Sequence, residues 1–318
     1  MSQPSRPERR GSVEPPRVQT MRAKPILRAH LLLLAGALAL PAGTQAAPRA
    51  HRAKAAPAGV AVDYSVNLAG IPIGNAQLTG AFEGARYRMD VSAVLTGLVG
   101  AVTGGQGSAR SSGSIAAAPL PSAFSIATRT SSSGIAVRMA LANGNVTQAE
   151  VTPPLLDTGD RVPVTAAAKR GVIDPASALM MPARARADLT DPENCNRTLP
   201  VFDGATRFNV VLSYGETRQV EKPGYSGPVL VCNARYVAIA GHRPDRPGVK
   251  FMEDNRDMSV WLAPVEGTRV LVPLRIAVRT TLGTNIIEAT RWTRTGTATA
   301  NGGEAQPGAV ADASLSQQ

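Results

Sequence analysis

Alternation of apolar and polar side chains with a period of two residues runs through most of this chain. Val62, Tyr64 and Val66 alternate with polar residues, and the pattern returns at 86–95. This period is typical of β-strands with one buried and one solvated face. Because tight glycine turns join successive runs, the sequence predicts an antiparallel meander. Asn143-Gly144 is a further hairpin signal.

The alternating segments predict some ten strands and one or two short helices. The helix is expected at ASALMM, where Asp174 would be the N-cap and Pro175 the first helical residue. The Gly/Ser-rich stretch 96–113 predicts a mobile loop or a twisted edge. So many strands in one sheet must curl. The predicted fold class is therefore mainly β, with a strongly curved antiparallel sheet that forms an open or half barrel.

A short apolar run near the beginning of the chain has the features of a secretory signal peptide. Residues 31–40 read LLLLAGALAL, which is too short to span a bilayer. Arg22, Lys24 and Arg28 precede this run, and small residues follow it. This order predicts export to the periplasm, with cleavage near Ala46.

The remaining chain divides by composition. Met21 is expected to be the true start, so that residues 1–20 are a spurious extension. Residues 47–59 are interpreted as a linker and 60–294 as a single β-rich domain. Residues 295–318 lack an apolar period, which predicts a disordered tail.

The basic character of the chain depends partly on this leader. The net charge is +11, but 7 of the 34 basic and 2 of the 23 acidic residues lie in 1–46. The remainder carries a modest +6, so nucleic acid is not a predicted partner. Hydrophobic residues make up 43% of the chain, which argues against a fully disordered chain.

The two cysteines, Cys195 and Cys232, are expected to form a disulfide, since exported chains meet an oxidising compartment. Such a bond would contribute about 4 kcal/mol through loop-closure entropy. The alternatives are a reactive thiol or a metal site. Histidine and cysteine partners for a metal are missing, so neither a metal nor a cofactor is predicted.

Histidine is too rare for most catalytic arrangements. Of the three, His30 lies in the leader and His51 in the linker, which leaves His242 as the one candidate general base. An envelope hydrolase would need His242 oriented by Asp245 or Asp257. No G-x-S-x-G motif accompanies it, so the sequence favours a non-enzymatic protein.

The most charge-dense segment spans residues 241–250. His242, Arg243, Arg246 and Lys250 are candidates for binding an anionic head group or carboxylate. A solvated loop between two strands would have the same composition. Binding to anionic envelope surfaces remains a further alternative function.

The leading functional hypothesis is a periplasmic binding or envelope-associated module. One face of the curved sheet would bind a lipid, an acyl chain or an envelope protein. Apolar alternating residues are candidates for lining a cavity, although they would equally form a packed core: Val66, Leu78, Met89, Val91, Val210, Leu212, Val272, Leu274 and Ile276.

Several of these segments together resemble a known family. YSVNLAGIPIGNAQLTG (64–80), PVFDGATRFNVVLSY (200–214) and VPLRIAVRTTLGTNIIEA (272–289) follow one another in order. With Cys232 and Gly74, they resemble the bacterial domain of unknown function 3108, in its alphaproteobacterial form. The resemblance implies an exported β protein and supplies no reaction. The strand layout is also similar to that of curved-sheet periplasmic lipoprotein carriers, a likeness of fold alone.

Overall fold

A computed structural model describes residues 57–156 and 158–296. The expected signal peptide, nearly all of the linker and the tail beyond Gly296 lie outside these ranges. The described residues form fourteen strands and two α-helices: β1 Ala58–Leu68, β2 Ile71–Glu83, β3 Arg86–Leu95, α1 Gly97–Thr103, β4 Gln106–Ile115, β5 Pro119–Arg129, β6 Gly134–Ala142, β7 Asn145–Thr152, β8 Met181–Pro182, β9 Arg197–Phe202, β10 Arg207–Lys222, β11 Tyr225–Ala240, α2 Pro247–Asp254, β12 Met258–Pro264, β13 Val270–Thr280 and β14 Gly283–Arg294.

The strands join into one antiparallel sheet. Its order is β7-β6-β5-β4-β3-β2-β1-β14-β13-β12-β11-β10-β9, with the two-residue β8 paired to β13. Nearly every neighbour in this order is also a neighbour in the chain. The exception is the central pair, in which β1 lies beside β14. The predicted fold class, a mainly β protein built on an open antiparallel sheet, is confirmed.

Packing between distant strands shows that this sheet curls strongly. Leu78 of β2 and Met89 of β3 share one buried cluster with Val229 and Val231 of β11. These strands lie far apart in the hydrogen-bonded order. Their inward side chains meet only because the sheet bends round until its two halves face each other.

The two edges of the sheet also come together without pairing directly. Phe202 at the end of β9 packs against Phe124, Val137 and Met139 on β5 and β6. The turn that follows passes so close that a side chain at Gly204 would collide with Val137. Asp203 closes this turn, because its carboxylate accepts hydrogen bonds from the amides of the next residues. The seam of the open barrel is therefore a packed contact.

An irregular segment crosses the interior beside this seam. We call residues 172–182 the crossing segment. The Val172 amide donates to the carbonyl of Gly144 in the β6–β7 turn, and the Ile173 amide donates to Pro200 on β9. Further along, Ala176 joins the cluster of Phe202, Met180 joins that of Met89, and Met181 joins that of the cysteines. The segment thus occupies the centre of the curled sheet.

The backbone of a buried irregular segment must find hydrogen-bond partners within the protein. Asp174 supplies two of them, since one carboxylate oxygen accepts from the amides of Ala176 and Ser177, each at 2.9 Å. The sequence predicted Asp174 as the N-cap of a helix, but Ala176 occupies the N-cap position. The expected helix is a single 3-10 turn, Ser177–Leu179, after which Met181 enters β8.

The Gly/Ser-rich stretch 96–113 differs most from expectation. It forms α1 and then β4, an interior strand of the sheet. Small residues are needed there because a side chain at Gly113 would collide with the Leu120 carbonyl on β5, and Ser111 is fully buried. Side-chain size, rather than apolar alternation, allows this strand to pack.

The sheet splits where β13 and β14 diverge. Their pairing ends at Arg275 and Glu288. Beyond this point, the edge of β14 that faces β13 has no strand partner. The tip of the β10–β11 hairpin fills the opening, and the Trp292 amide donates to the Pro223 carbonyl at 2.8 Å. Gly224 sits against the Trp292 carbonyl in a left-handed conformation, with a φ of +84°. This contact fixes the hairpin tip against the centre of the sheet.

Candidate functional site

An apolar groove lies between the crossing segment and the β9–β13 half of the sheet. Its volume is about 260 Å³. Apart from Arg235, Ser259 and the hydroxyl of Tyr236, its lining is apolar. The principal lining side chains are Leu179, Met181, Leu199, Val210, Leu212, Ala234, Met252, Met258, Val260, Leu262, Pro273, Ile276 and Val278.

Strand register accounts for this lining. Val210 pairs with Tyr236 across β10 and β11, and Leu212 pairs with Ala234 two positions further on. Side chains at alternate positions share one face of a sheet. The period-two pattern in these strands therefore builds one wall of the groove.

Helix α2 forms part of the rim and contributes Met252. Pro247 opens the helix at a first-turn position that needs no amide donor. At its other end, the Asn255 side chain donates to the Arg279 carbonyl at 2.8 Å and accepts from the Asp257 amide. This bridge holds α2 against β13. The sequence predicted a loop here, because the Pro-rich start hides a helix of only eight residues.

Tyr236 is the aromatic wall of the groove. Its ring lies 5.3 Å from that of Phe208, centroid to centroid, which fixes its orientation. Burial raises the pKa of the Tyr236 hydroxyl, and the nearby Asp203 and Glu253 carboxylates add to the increase. The phenol is therefore neutral at physiological pH, and the groove gains no charge from it.

The apolar alternating residues divide into two groups. Val210, Leu212 and Ile276 line the groove. Leu78, Met89, Val272 and Leu274 are buried in the central cluster, against which Val91 also packs. Val66 is likewise buried, although slightly more exposed than these residues.

The basic segment is largely paired with its own neighbourhood. The Arg243 guanidinium lies 3.0 Å from the Asp160 carboxylate and donates to the Thr158 hydroxyl. Lys250 lies 3.1 Å from Asp245. Arg246 is exposed, and its backbone carbonyl accepts from the first turn of α2. The four candidates thus lie along the loop after β11 and the start of α2, but two of their cations are already balanced by carboxylates.

His242 does not have the surroundings of a general base. Its Nδ1 atom is buried without a hydrogen-bond partner. Within the described ranges, the imidazole forms no ion pair with a carboxylate. Its backbone carbonyl accepts from the Val162 amide, which ties the loop to the segment after β7.

Cys195 and Cys232 form a disulfide, with their Cα atoms 5.5 Å apart. The predicted bond is confirmed. It lies beside the groove, in the cluster that contains Leu212 and Leu262. The bond attaches the segment before β9 to β11, and so fixes two of the strands that line the groove.

A second concentration of polar groups lies in the interior. The Asp174 carboxylate accepts from the hydroxyls of Ser111 and Ser177, at 2.8 and 2.6 Å, and the Tyr87 hydroxyl lies 2.7 Å from that of Ser177. Ser111, Asp174 and Ser177 are all fully buried. The sequence analysis missed this cluster, since its members span 90 residues of sequence and no local motif links them.

The described residues offer neither a metal site nor a membrane-spanning helix. They contain no group of three or more histidine, cysteine, aspartate or glutamate side chains that could hold a metal ion. In the same ranges, neither α1 nor α2 has the length and apolar character required to cross a membrane.

Fold and site together define a class of protein: an open, curled antiparallel sheet with an apolar groove along one half of its interior. The family model described as protein of unknown function DUF3108 matches residues 63–290, and the chain belongs to this family. The resemblance noted from the sequence is confirmed at the level of the family.

Among solved structures, one similar chain is titled a beta-barrel-like protein of domain of unknown function DUF1849, from Brucella abortus. The identity is 8%, the match covers 76% of the present chain and 99% of the other, and the TM-score is 0.42. A search of curated proteins gives no significant match.

Proposed function

We propose that this protein is an exported, non-enzymatic binding module that holds an apolar chain, such as the acyl chain of a lipid, in the groove. The single observation that carries the proposal is the almost entirely apolar lining of that groove. Ligand sites in proteins are typically concave and apolar, with a few polar groups that fix orientation. Arg235 and the Tyr236 hydroxyl would serve as those polar groups.

Size and adaptability of the groove support an acyl chain. An apolar cavity of roughly 150 Å³ already binds a benzene-sized molecule, and this groove is larger, at about 260 Å³. Met181, Met252 and Met258 contribute flexible, unbranched side chains to the lining. Methionine adapts its shape to irregular apolar ligands. Chains of different length and unsaturation would therefore fit.

Export is supported by two independent features. The leader has the order of a basic segment, an apolar run and small residues. The Cys195–Cys232 bond is of the kind that persists in oxidising compartments. Both favour the periplasm as the site of action.

Native mass spectrometry of the protein purified from the periplasm tests the proposal. A bound lipid or fatty acid should be recovered as a discrete added mass. Repeated recovery of the empty chain, together with no uptake of a fluorescent fatty acid in vitro, would overturn it.

A variant that fills the groove makes the test specific. Ala234 lies in the lining, whereas its neighbour Asn233 is exposed and lies outside it. Ala234→Trp should abolish fatty-acid uptake, because the indole occupies the space of the ligand. Asn233→Trp, on the opposite face of the same strand, should bind as the unaltered protein does. Equal binding by both variants would place the ligand elsewhere.

A further inference from the structure

Exposed apolar side chains are concentrated at one end of the sheet. This end, which we call the α1 end, carries α1 and the turns β1–β2, β5–β6 and β13–β14. Within the described ranges eleven large apolar side chains are exposed, and seven of them lie in α1, in these turns or on residues next to them. The opposite end of the sheet has no such residue in the same ranges.

Four of the apolar side chains in α1 and these turns are more than half exposed. Leu98 and Val102 of α1 are 88% and 77% exposed, Leu282 of the β13–β14 turn is 74% exposed, and Ile71 is 64% exposed. Leu98 and Val102 are four residues apart and so lie on one face of the helix. Helix α1 buries none of its own residues. Its apolar composition therefore does not serve the core of this protein.

Backbone hydrogen bonds join these elements into one surface. The Ala69 amide of the β1–β2 turn donates to Thr284 beside the β13–β14 turn at 3.0 Å. Thr96 at the start of α1 donates to Ile73 at 2.9 Å, and Ser131 of the β5–β6 turn donates to Thr103 at 2.8 Å. The exposed apolar side chains are thus held on a single rigid tip.

Charge is absent from this tip and present at its border. The stretches 91–109, 64–82, 130–133 and 280–287 contain no charged residue, although 18% of the chain is charged. Arg129 and Arg279 lie at the strand ends just behind the tip, and both are exposed. In the described part of the chain neither forms an ion pair with a carboxylate. These two cations therefore border an uncharged surface, and Arg279 lies beside the exposed Asp257, whose backbone carbonyl accepts from its amide.

We propose that the α1 end inserts into the surface of an anionic lipid bilayer. Large exposed apolar patches mark interaction sites. A water-soluble partner surface would tolerate charge at the border of the contact, whereas the interfacial region of a bilayer penalises every charge on the inserted part. The uncharged tip meets this requirement, and Arg129 and Arg279 would contact anionic head groups. This proposal is independent of the groove.

Vesicle flotation tests the proposal with the full chain. Vesicles of phosphatidylethanolamine and phosphatidylglycerol should carry the protein upward, and Leu98→Asp with Val102→Asp should lower the bound fraction at least about tenfold. Both side chains are exposed, so the double variant keeps the core. The matched control is Ala116→Asp with Ala117→Asp, which adds the same charge to the exposed β4–β5 turn at the opposite end. This control should bind as the unaltered protein does.

The cations give a second measurement. Arg129→Gln with Arg279→Gln should weaken binding to these vesicles and reduce its dependence on salt, while weak binding to phosphatidylcholine vesicles stays the same. Absence of vesicle binding by the unaltered chain would overturn the proposal. So would a concentration-dependent dimer that Leu98→Asp with Val102→Asp abolishes, because the tip would then cover a second copy of the chain. Loss of binding in the Ala116→Asp, Ala117→Asp control would contradict it as well.

Discussion

The Ser111 hydroxyl donates a 2.8 Å hydrogen bond to the Asp174 carboxylate, across 63 residues of sequence. This bond links β4 to the crossing segment, beside the contact between the Tyr87 hydroxyl of β3 and that of Ser177. Asp174 also orders the segment itself by accepting from two of its amides. One carboxylate thus forms the turn and attaches it to the wall of the curled sheet.

Removing this carboxylate should destabilise the domain. Asp174→Ala leaves two buried amides without partners, and each such group costs about 1–3 kcal/mol. We expect a loss of about 3 kcal/mol in the free energy of unfolding, measured by urea denaturation. Asp174→Asn keeps the oxygen that accepts from the amides and should lose much less. Equal losses in the two variants would contradict a capping role.

The same residue predicts a pH dependence of stability. Burial raises the pKa of Asp174 and outweighs the hydrogen bonds from Ser177 and Ser111, which lower it. The folded state therefore binds a proton more readily than the unfolded state. The contribution of this group is fully present below its unfolded pKa, about 3.9, and is lost as pH rises through the folded pKa.

Asp174→Asn removes that contribution and leaves other titrating groups in place. The stability of the Asn variant relative to the unaltered protein should therefore increase as the pH rises above the unfolded pKa, about 3.9, and the carboxylate loses its proton. Urea unfolding at several pH values measures the difference. A relative stability that decreases over this range would mean that the hydrogen bonds dominate.

The disulfide should be a major source of stability. Cys195 and Cys232 are 37 residues apart in sequence, and loss of a bond that closes a loop of this size costs about 4 kcal/mol. Cys195→Ser with Cys232→Ser should lower the free energy of unfolding by about this amount. Reductant should destabilise the unaltered protein to the same extent and leave the double variant unaffected.

Gly224 offers a test of the contact that fills the split between β13 and β14. Gly224→Ala places a methyl group against the Trp292 carbonyl in a left-handed backbone conformation, and should cost about 2–3 kcal/mol. Gly248→Ala, in open space within α2, is the control and should stabilise slightly, by roughly 0.5 kcal/mol. Similar thermal midpoints for the two variants would show that the hairpin tip moves away freely.

Much of the sheet could be predicted because alternation reports directly on strands with one buried face. β1, β3 and β6 follow it closely. β4 does not, since its buried position is Ser111 and most of its half-buried positions hold glycine, alanine or serine, whose small size allows close packing instead. Alternation predicts a strand only where one face carries large apolar residues. Where neither face does, as in β4, the pattern gives no prediction.

The groove could be predicted only in part, for a related reason. Val210 and Leu78 occupy equivalent places in their alternating patterns, yet one lines the groove and the other lies in the central cluster. Alternation identifies which side chains of a strand point inward, but not whether they meet the central cluster or the groove. That depends on how far the sheet curls and on the path of the crossing segment, both of which arise from contacts between residues distant in sequence.

The pairing of β1 with β14 has a consequence for the order of assembly. The central ladder of the sheet joins the first and last strands of the domain, so it cannot form until synthesis has reached β14. Until then β1 presents an unpaired edge, and the loop to be closed spans almost the whole domain. A chain made from its amino end thus lacks the central ladder of its sheet until the last strand is available.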